Sequence, residues 1–260
     1  MGHLRLGNLP KTESWQTVVG LVANGSSASE IAAAVLDASK KGLRQAPDDP
    51  AFVHAFWLLT QIPAAAHEKN FASALRSLDL AVSDSPSLLE IVSAFSNIVD
   101  QKNKEYGRRN DLSEIAQLAA AESLTAVAGA KTDSLFGVSA ESVQGAFKGF
   151  SYKKQFSHIA HDFFSRVTKR YLTYYLSREL SNHVGPGKRF ANIDKHGEFK
   201  KALEVHCRQT ARIMEEFAGG WFSKNTFEGG IDHQSAKGFV YFALKKIRSE
   251  LTRRGRVNGT

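Results

Sequence analysis

Residues 49–63 read DPAFVHAFWLLTQIP. Asp49 can accept a first-turn N–H and Pro50 can take the first helical position, where its missing N–H costs nothing, so the pair opens a helix. Phe52, Val53, Phe56, Trp57, Leu58 and Leu59 then fall on every side at 100° per residue. A helix apolar all round must be covered all round, which places it at the centre of a core. Pro63 is expected to close it.

The flanking sequence supplies the cover. Ser27-Ala28-Ser29-Glu30 has capping-box spacing and leads into Ile31, Val35 and Leu36 before Lys41-Gly42. Asn70 can cap a helix carrying Phe71, Leu75, Leu78 and Val82, and Ser85-Pro86 precedes Leu88, Ile91, Phe95, Ile98 and Val99. Residues 111–129 repeat the pattern through Leu112, Ile115, Leu118 and Leu124. No segment alternates with period two, so residues 1–130 read as an Ala-rich bundle of five or six helices. Residues 131–150, with Gly137, Gly145 and Gly149, read as a connecting segment. In residues 151–260 a long helix from Tyr152 to His183 stops at Gly185-Pro186-Gly187. A second runs from Glu198 to Ala218, and a last begins at Asp232 or Ser235 with the seam Val240, Leu244, Ile247 and Leu251. The expectation is an all-α protein, a multi-helix bundle of about eight to ten helices that can divide into two helical subdomains.

Charge is unevenly spread. The net +8 resolves into 13 Lys/Arg against 16 Asp/Glu in residues 1–150 and 21 against 10 in residues 151–260, which also hold 16 of the 26 aromatic residues. A basic, aromatic-rich carboxy-terminal region suits phosphate contact with base stacking, or an acidic partner surface. The cations expected on that face are Lys169, Arg170, Lys200, Lys201, Arg208, Arg212, Lys245, Lys246, Arg248, Arg253 and Arg254. At 42% hydrophobic and 23% charged the chain is neither low-complexity nor charge-driven disorder. One cysteine, Cys207, forms no intrachain disulfide, and no apolar run reaches the length of a membrane span. Gly2 is followed by Leu6 where a myristoylation signal needs Ser or Thr, and no secretory h-region is present, so a cytoplasmic location without membrane contact is expected.

Motifs for catalysis are sparse. Arg178-Glu179-Leu180-Ser181-Asn182-His183 has the R-x4-H spacing and resembles the core motif of HEPN ribonucleases, small helical proteins that cleave RNA across a dimer interface. The resemblance implies that His183 exchanges protons and Arg178 stabilises phosphate charge; Glu179 departs from the Asn, Asp or His that family usually carries. His158, His161 and Asp162 fall within one helical turn but lack an H-E-x-x-H arrangement, and Gly185-Pro186-Gly187-Lys188 lacks the Walker spacing. No metal and no cofactor are expected. Residues 219–230 bracket Trp221 and Phe222 with glycine pairs, and read as a hinged loop for docking a partner. Together these features lead to a non-catalytic adaptor or accessory subunit of a multi-protein assembly, of the kind found in bacterial anti-phage systems, with the Arg178/His183 ribonuclease as the alternative.

Overall fold

The structure, a computed structural model, describes residues 9–39, 42–106, 111–130 and 139–257 of the 260-residue chain. Among these are twelve α-helices, two short 3₁₀ turns and no β-strand, so the chain is all-α, with more helices than the eight to ten expected. The helices are α1 (Glu13–Ala23), α2 (Ala28–Ala38), α3 (Gly42–Gln45), α4 (Pro50–Ala65), α5 (Phe71–Arg76) and α6 (Leu88–Glu105). After them come α7 (Asp111–Gly129), α8 (Ala140–Lys148), α9 (Lys153–Asn182), α10 (Ile193–Ala211), α11 (Ile213–Phe227) and α12 (His233–Val257). The acylation reading at the amino terminus and residues 131–138 of the expected connecting segment lie outside the described residues.

Contacts gather the chain into two compact units. One comprises Met1–Arg44, Ser165–Ala211 and Leu244–Thr260; the other comprises Gln45–Phe164 and Arg212–Ala243. Both are interleaved in sequence. Their charges differ sharply. The first holds 21 Lys/Arg and 8 Asp/Glu, a net of +13, and the second 13 and 18, a net of −5. They are called the basic and the acidic unit below.

In the acidic unit α4 is the central helix, as its all-round apolar sequence requires. Asp49 caps it by accepting from the Phe52 N–H at 2.8 Å, and Phe52, Phe56 and Leu58 are fully buried. α4 touches α5, α6, α7 and α8. Pro63 does not close the helix, which runs on to Ala65; the Ser151 hydroxyl donates to the Pro63 carbonyl at 2.9 Å. Phe56 is the hub of an aromatic cluster, with ring centroids 5.8 Å from Phe163, 5.6 Å from Phe164, 6.0 Å from Trp221 and 5.1 Å from Phe239.

The capping box at Ser27 and Glu30 forms as read, and Asn70 caps α5, but α5 ends at Arg76 before Leu78 and Val82 are reached. The cap of α6 is Ser87 rather than the Ser85-Pro86 pair. The helix expected over Glu198–Ala218 is broken by a turn at Arg212. Phe199, Leu203 and Cys207 bury within the basic unit, whereas Met214 and Phe222 belong to the acidic one, so the axis breaks where the burying surface changes. No glycine or proline marks that point.

In the basic unit α1 and α2 pack together, and α2 also contacts α10. Gly255 of α12 lies against α2: a Cβ there would stand 2.5 Å from the Ala33 Cβ. The turn after α9 is fastened by Arg189, whose guanidinium donates to the carbonyls of Leu21 (3.1 Å), Val22 (2.7 Å) and Ser26, and sits 4.7 Å from the Phe199 ring centroid. A cation on the last carbonyls of α1 is favoured by both charge and hydrogen bonding. Arg189→Met, which keeps the stem and removes every donor, is expected to lower stability by about 1–3 kcal/mol in urea unfolding; an unchanged midpoint would mean the carbonyls are equally well served by water.

Candidate functional site

The cations foreseen for a phosphate-binding face divide between the two units. Lys169, Arg170, Lys200, Lys201, Arg208, Lys245, Lys246, Arg248, Arg253 and Arg254 fall in the basic unit; Arg212 falls in the acidic one. Within the basic unit α10 bridges to α9 through Lys169 and Glu204, 2.8 Å apart, and to α12 through Arg254 and Gln209, 3.4 Å apart. Three helices thereby bring their polar faces into one neighbourhood. Leu244, Ile247 and Leu251 are buried, which turns Lys245 and Lys246 outward; Lys200, Lys201, Arg208 and Arg253 are likewise exposed.

Some of this charge is spent internally. Glu250 accepts from Arg253 at 2.6 Å and Arg254 at 2.7 Å, and those two guanidiniums pull its carboxyl down to about 2. Arg248 is half-buried, and its guanidinium is disfavoured first by desolvation and then by the like charge of Arg44. Two guanidiniums within electrostatic reach of each other are relieved by an anion between them. Arg44, at the end of α3, was missed by sequence reasoning, because it lies two hundred residues from Arg248 and no local pattern links them.

The aromatic pair Trp221 and Phe222 is not on a loop. Residues 213–227 are helical, Phe222 is buried with its ring centroid 4.0 Å from that of Phe156, and Trp221 stacks 4.3 Å from Phe239. Gly219 serves close helix approach rather than hinging. Its N–H donates to the Ser157 hydroxyl at 2.9 Å, and a Cβ there would overlap the Lys153 carbonyl oxygen. Glycines chosen for close packing and for flexibility look alike in sequence.

Glu179 links the two residues of the R-x4-H motif, lining the cleft beside Arg178 and meeting the His183 ring. Arg178 is exposed and lines a small cleft with Leu9, Trp15, Tyr175 and Asn182, while the His183 ring nitrogen is 2.8 Å from Glu179 and His183 does not line that cleft. The residue that departs from the HEPN pattern is therefore the one engaging His183. His161 and Asp162 are occupied by structure: His161 lies 3.2 Å from Glu215, and Asp162 accepts from Ser123 at 2.8 Å. Among the described residues no group of three or more His, Cys, Asp or Glu is placed to hold a metal. Cys207 is buried, and burial pushes its thiol up to about 12, so it is a packing group without nucleophilic character at neutral pH.

Sequence reasoning also missed a cleft of about 460 Å³ in the acidic unit. Its walls include Trp57 and His54 of α4, Lys102 and Tyr106 at the end of α6, Asp79 after α5, and His233 and Lys237 at the start of α12. His54 and His233, 179 residues apart, meet nitrogen to nitrogen at 2.9 Å with ring planes 4° apart. Trp57 lies 4.3 Å from the His233 ring centroid and donates its indole N–H to the Ile231 carbonyl at 2.8 Å. Histidines that pair across such a separation leave no spacing signal.

No helix among the described residues is long and apolar enough to cross a membrane. Comparison of the chain with protein-family models, with curated proteins and with solved structures finds no match in any of the three.

Proposed function

We propose that this chain is a non-catalytic helical adaptor or accessory subunit, acting in the cytoplasm within a multi-protein assembly, whose basic unit engages the phosphate backbone of nucleic acid. The observation that supports this reading is the segregation of charge by compact unit: +13 on one and −5 on the other, with the exposed lysines of α10 and α12 in the unit of high positive charge. Modest basicity for solubility alone would not concentrate in one unit. Backbone contact independent of base sequence is the expected mode.

Fluorescence anisotropy with labelled single-stranded RNA and duplex DNA tests this. Affinity is expected to fall steeply between about 50 and 200 mM salt as counterions are displaced by lysines. The combined variant Lys200→Gln/Lys201→Gln/Lys245→Gln/Lys246→Gln should weaken binding at least about tenfold and flatten the salt dependence. Absence of binding at low salt, or binding indifferent to those four changes, overturns the proposal. Preference for an acidic polypeptide over nucleic acid would reassign the face to a protein partner, and RNA degraded by the wild type but spared by His183→Ala would restore the ribonuclease.

A further inference from the structure

The cleft in the acidic unit is lined by no residue of the basic unit, and its walls combine groups of three kinds. Trp57, Tyr106, Leu78 and the two prolines Pro47 and Pro50 give flat apolar surface. Lys102 and Lys237 supply positive charge, and Asp48 and Asp79 supply negative charge. Lys237 and Asp48 are closed on each other at 2.8 Å. That leaves Lys102 on one wall, bonded at 2.9 Å to Glu105 beside the cleft, and Asp79, exposed, on another.

Asp79 is the single non-glycine among the described residues with positive φ, at 62°. A side chain held in the left-handed region at a cleft wall is a departure from ordinary backbone economy of the sort that gathers at binding sites. It stands in the turn three residues past the end of α5 and lines the cleft beside Leu78.

The histidine pair adds a second departure. His54 is 6% exposed, and its Nε2 is buried with no hydrogen-bond partner. The arrangement that leaves no orphaned donor has His54 Nδ1–H donating to His233 Nε2. Burial holds His54 down at about 4 and depresses His233 as well, with the Lys102 charge acting in the same direction on both. Both rings are neutral at pH 7, so the cleft carries equal numbers of fixed positive and negative groups, and its volume lies in the range typical of small-molecule sites. A ligand bearing both charges on one end and a flat apolar group on the other meets Lys102, Asp79 and the apolar wall together, its carboxylate sharing Lys102 with Glu105.

We propose that this cleft binds a zwitterionic aromatic α-amino acid, with its ring against Trp57 and Tyr106, its carboxylate toward Lys102 and its ammonium toward Asp79. Lys102 and Asp79 line the same cleft, so one ligand can meet both charges. The site lies wholly within one unit and stands or falls independently of nucleic-acid binding.

Calorimetric titration of the full chain with L-phenylalanine, 3-phenylpropionate and phenethylamine tests it, with the Trp57 indole N–H resonance as a reporter located in the cleft. L-Phenylalanine is expected to bind and to shift that resonance, and each truncated probe, lacking one charge, to bind at least about tenfold more weakly. Lys102→Met should weaken L-phenylalanine and 3-phenylpropionate but leave phenethylamine unchanged. Asp79→Asn, which tolerates the same backbone conformation, should weaken L-phenylalanine and phenethylamine but leave 3-phenylpropionate unchanged. No heat and no shift with millimolar L-phenylalanine, a truncated probe binding as tightly as the amino acid, or variants that fail to separate the probes would each overturn the assignment.

Discussion

Phe56→Ala is expected to destabilise the acidic unit by about 3–5 kcal/mol, read as a lowered midpoint in urea unfolding. Phe56 has no exposed surface, and four aromatic rings from α9, α11 and α12 stand within 6.0 Å of its centroid. Removing the ring loses its transfer free energy and leaves a void that those neighbours, themselves packed on one another, cannot collapse to fill. Phe163 and Phe164 meet edge to face at 4.9 Å, and Phe239 is also held by Phe217 at 5.5 Å. Phe227→Ala is the matched control. Phe227 is 92% exposed at the end of α11, and its loss should shift stability by no more than about 0.5 kcal/mol. If the two variants unfold alike, the cluster around α4 is not the core of this unit.

Acid should weaken the protein at pH values above those at which most carboxylates titrate, and His54 contributes to that loss. The pKa of His54 is lowered in the folded chain from 6.5 to about 4, chiefly by burial, with His233 and Lys102 adding to the effect and Glu105 opposing it. The folded state therefore resists protonation that the unfolded state accepts. Stability from this group is complete above pH 6.5, falls as the pH drops from there, and levels off once the pH is below about 4. The full loss is on the order of 3 kcal/mol. His233 shifts in the same direction and shares the window. Urea unfolding at about pH 7 and about pH 4.5 measures the difference. His54→Gln, which has no proton to gain, should show a distinctly shallower decline. Equal declines in the two proteins would place the acid sensitivity elsewhere, with His196 and His206 of the basic unit, also depressed by burial, as the next groups to test.

Local chemistry decided much of what the chain does, and it was readable. An Asp-Pro start, a capping box at Ser27 and Glu30, and an Asp111–Gly129 repeat form as written because each depends on residues within one or two turns. The buried seam of Leu244, Ile247 and Leu251 and the outward lysines beside it follow from the same periodicity. α1 escaped notice because only Trp15, Val18 and Val22 bury, and its Thr12 cap makes no side-chain bond. The Gly219-Gly220 pair misled because a missing Cβ serves close packing and flexibility equally.

By itself, the sequence determined that the chain is all-α, that residues 49–63 make a central helix, and that positive charge gathers toward the carboxy terminus, since propensity, period and composition act over short separations. Only the tertiary structure decided that residues 9–39 and 42–44 join the basic carboxy-terminal helices, that Arg44 comes within electrostatic reach of Arg248, and that His54 meets His233 beside Lys102 and Asp79. Those pairings depend on which buried faces match across a hundred or two hundred residues. That choice is set by packing free energy summed over the whole chain, and no local spacing records it.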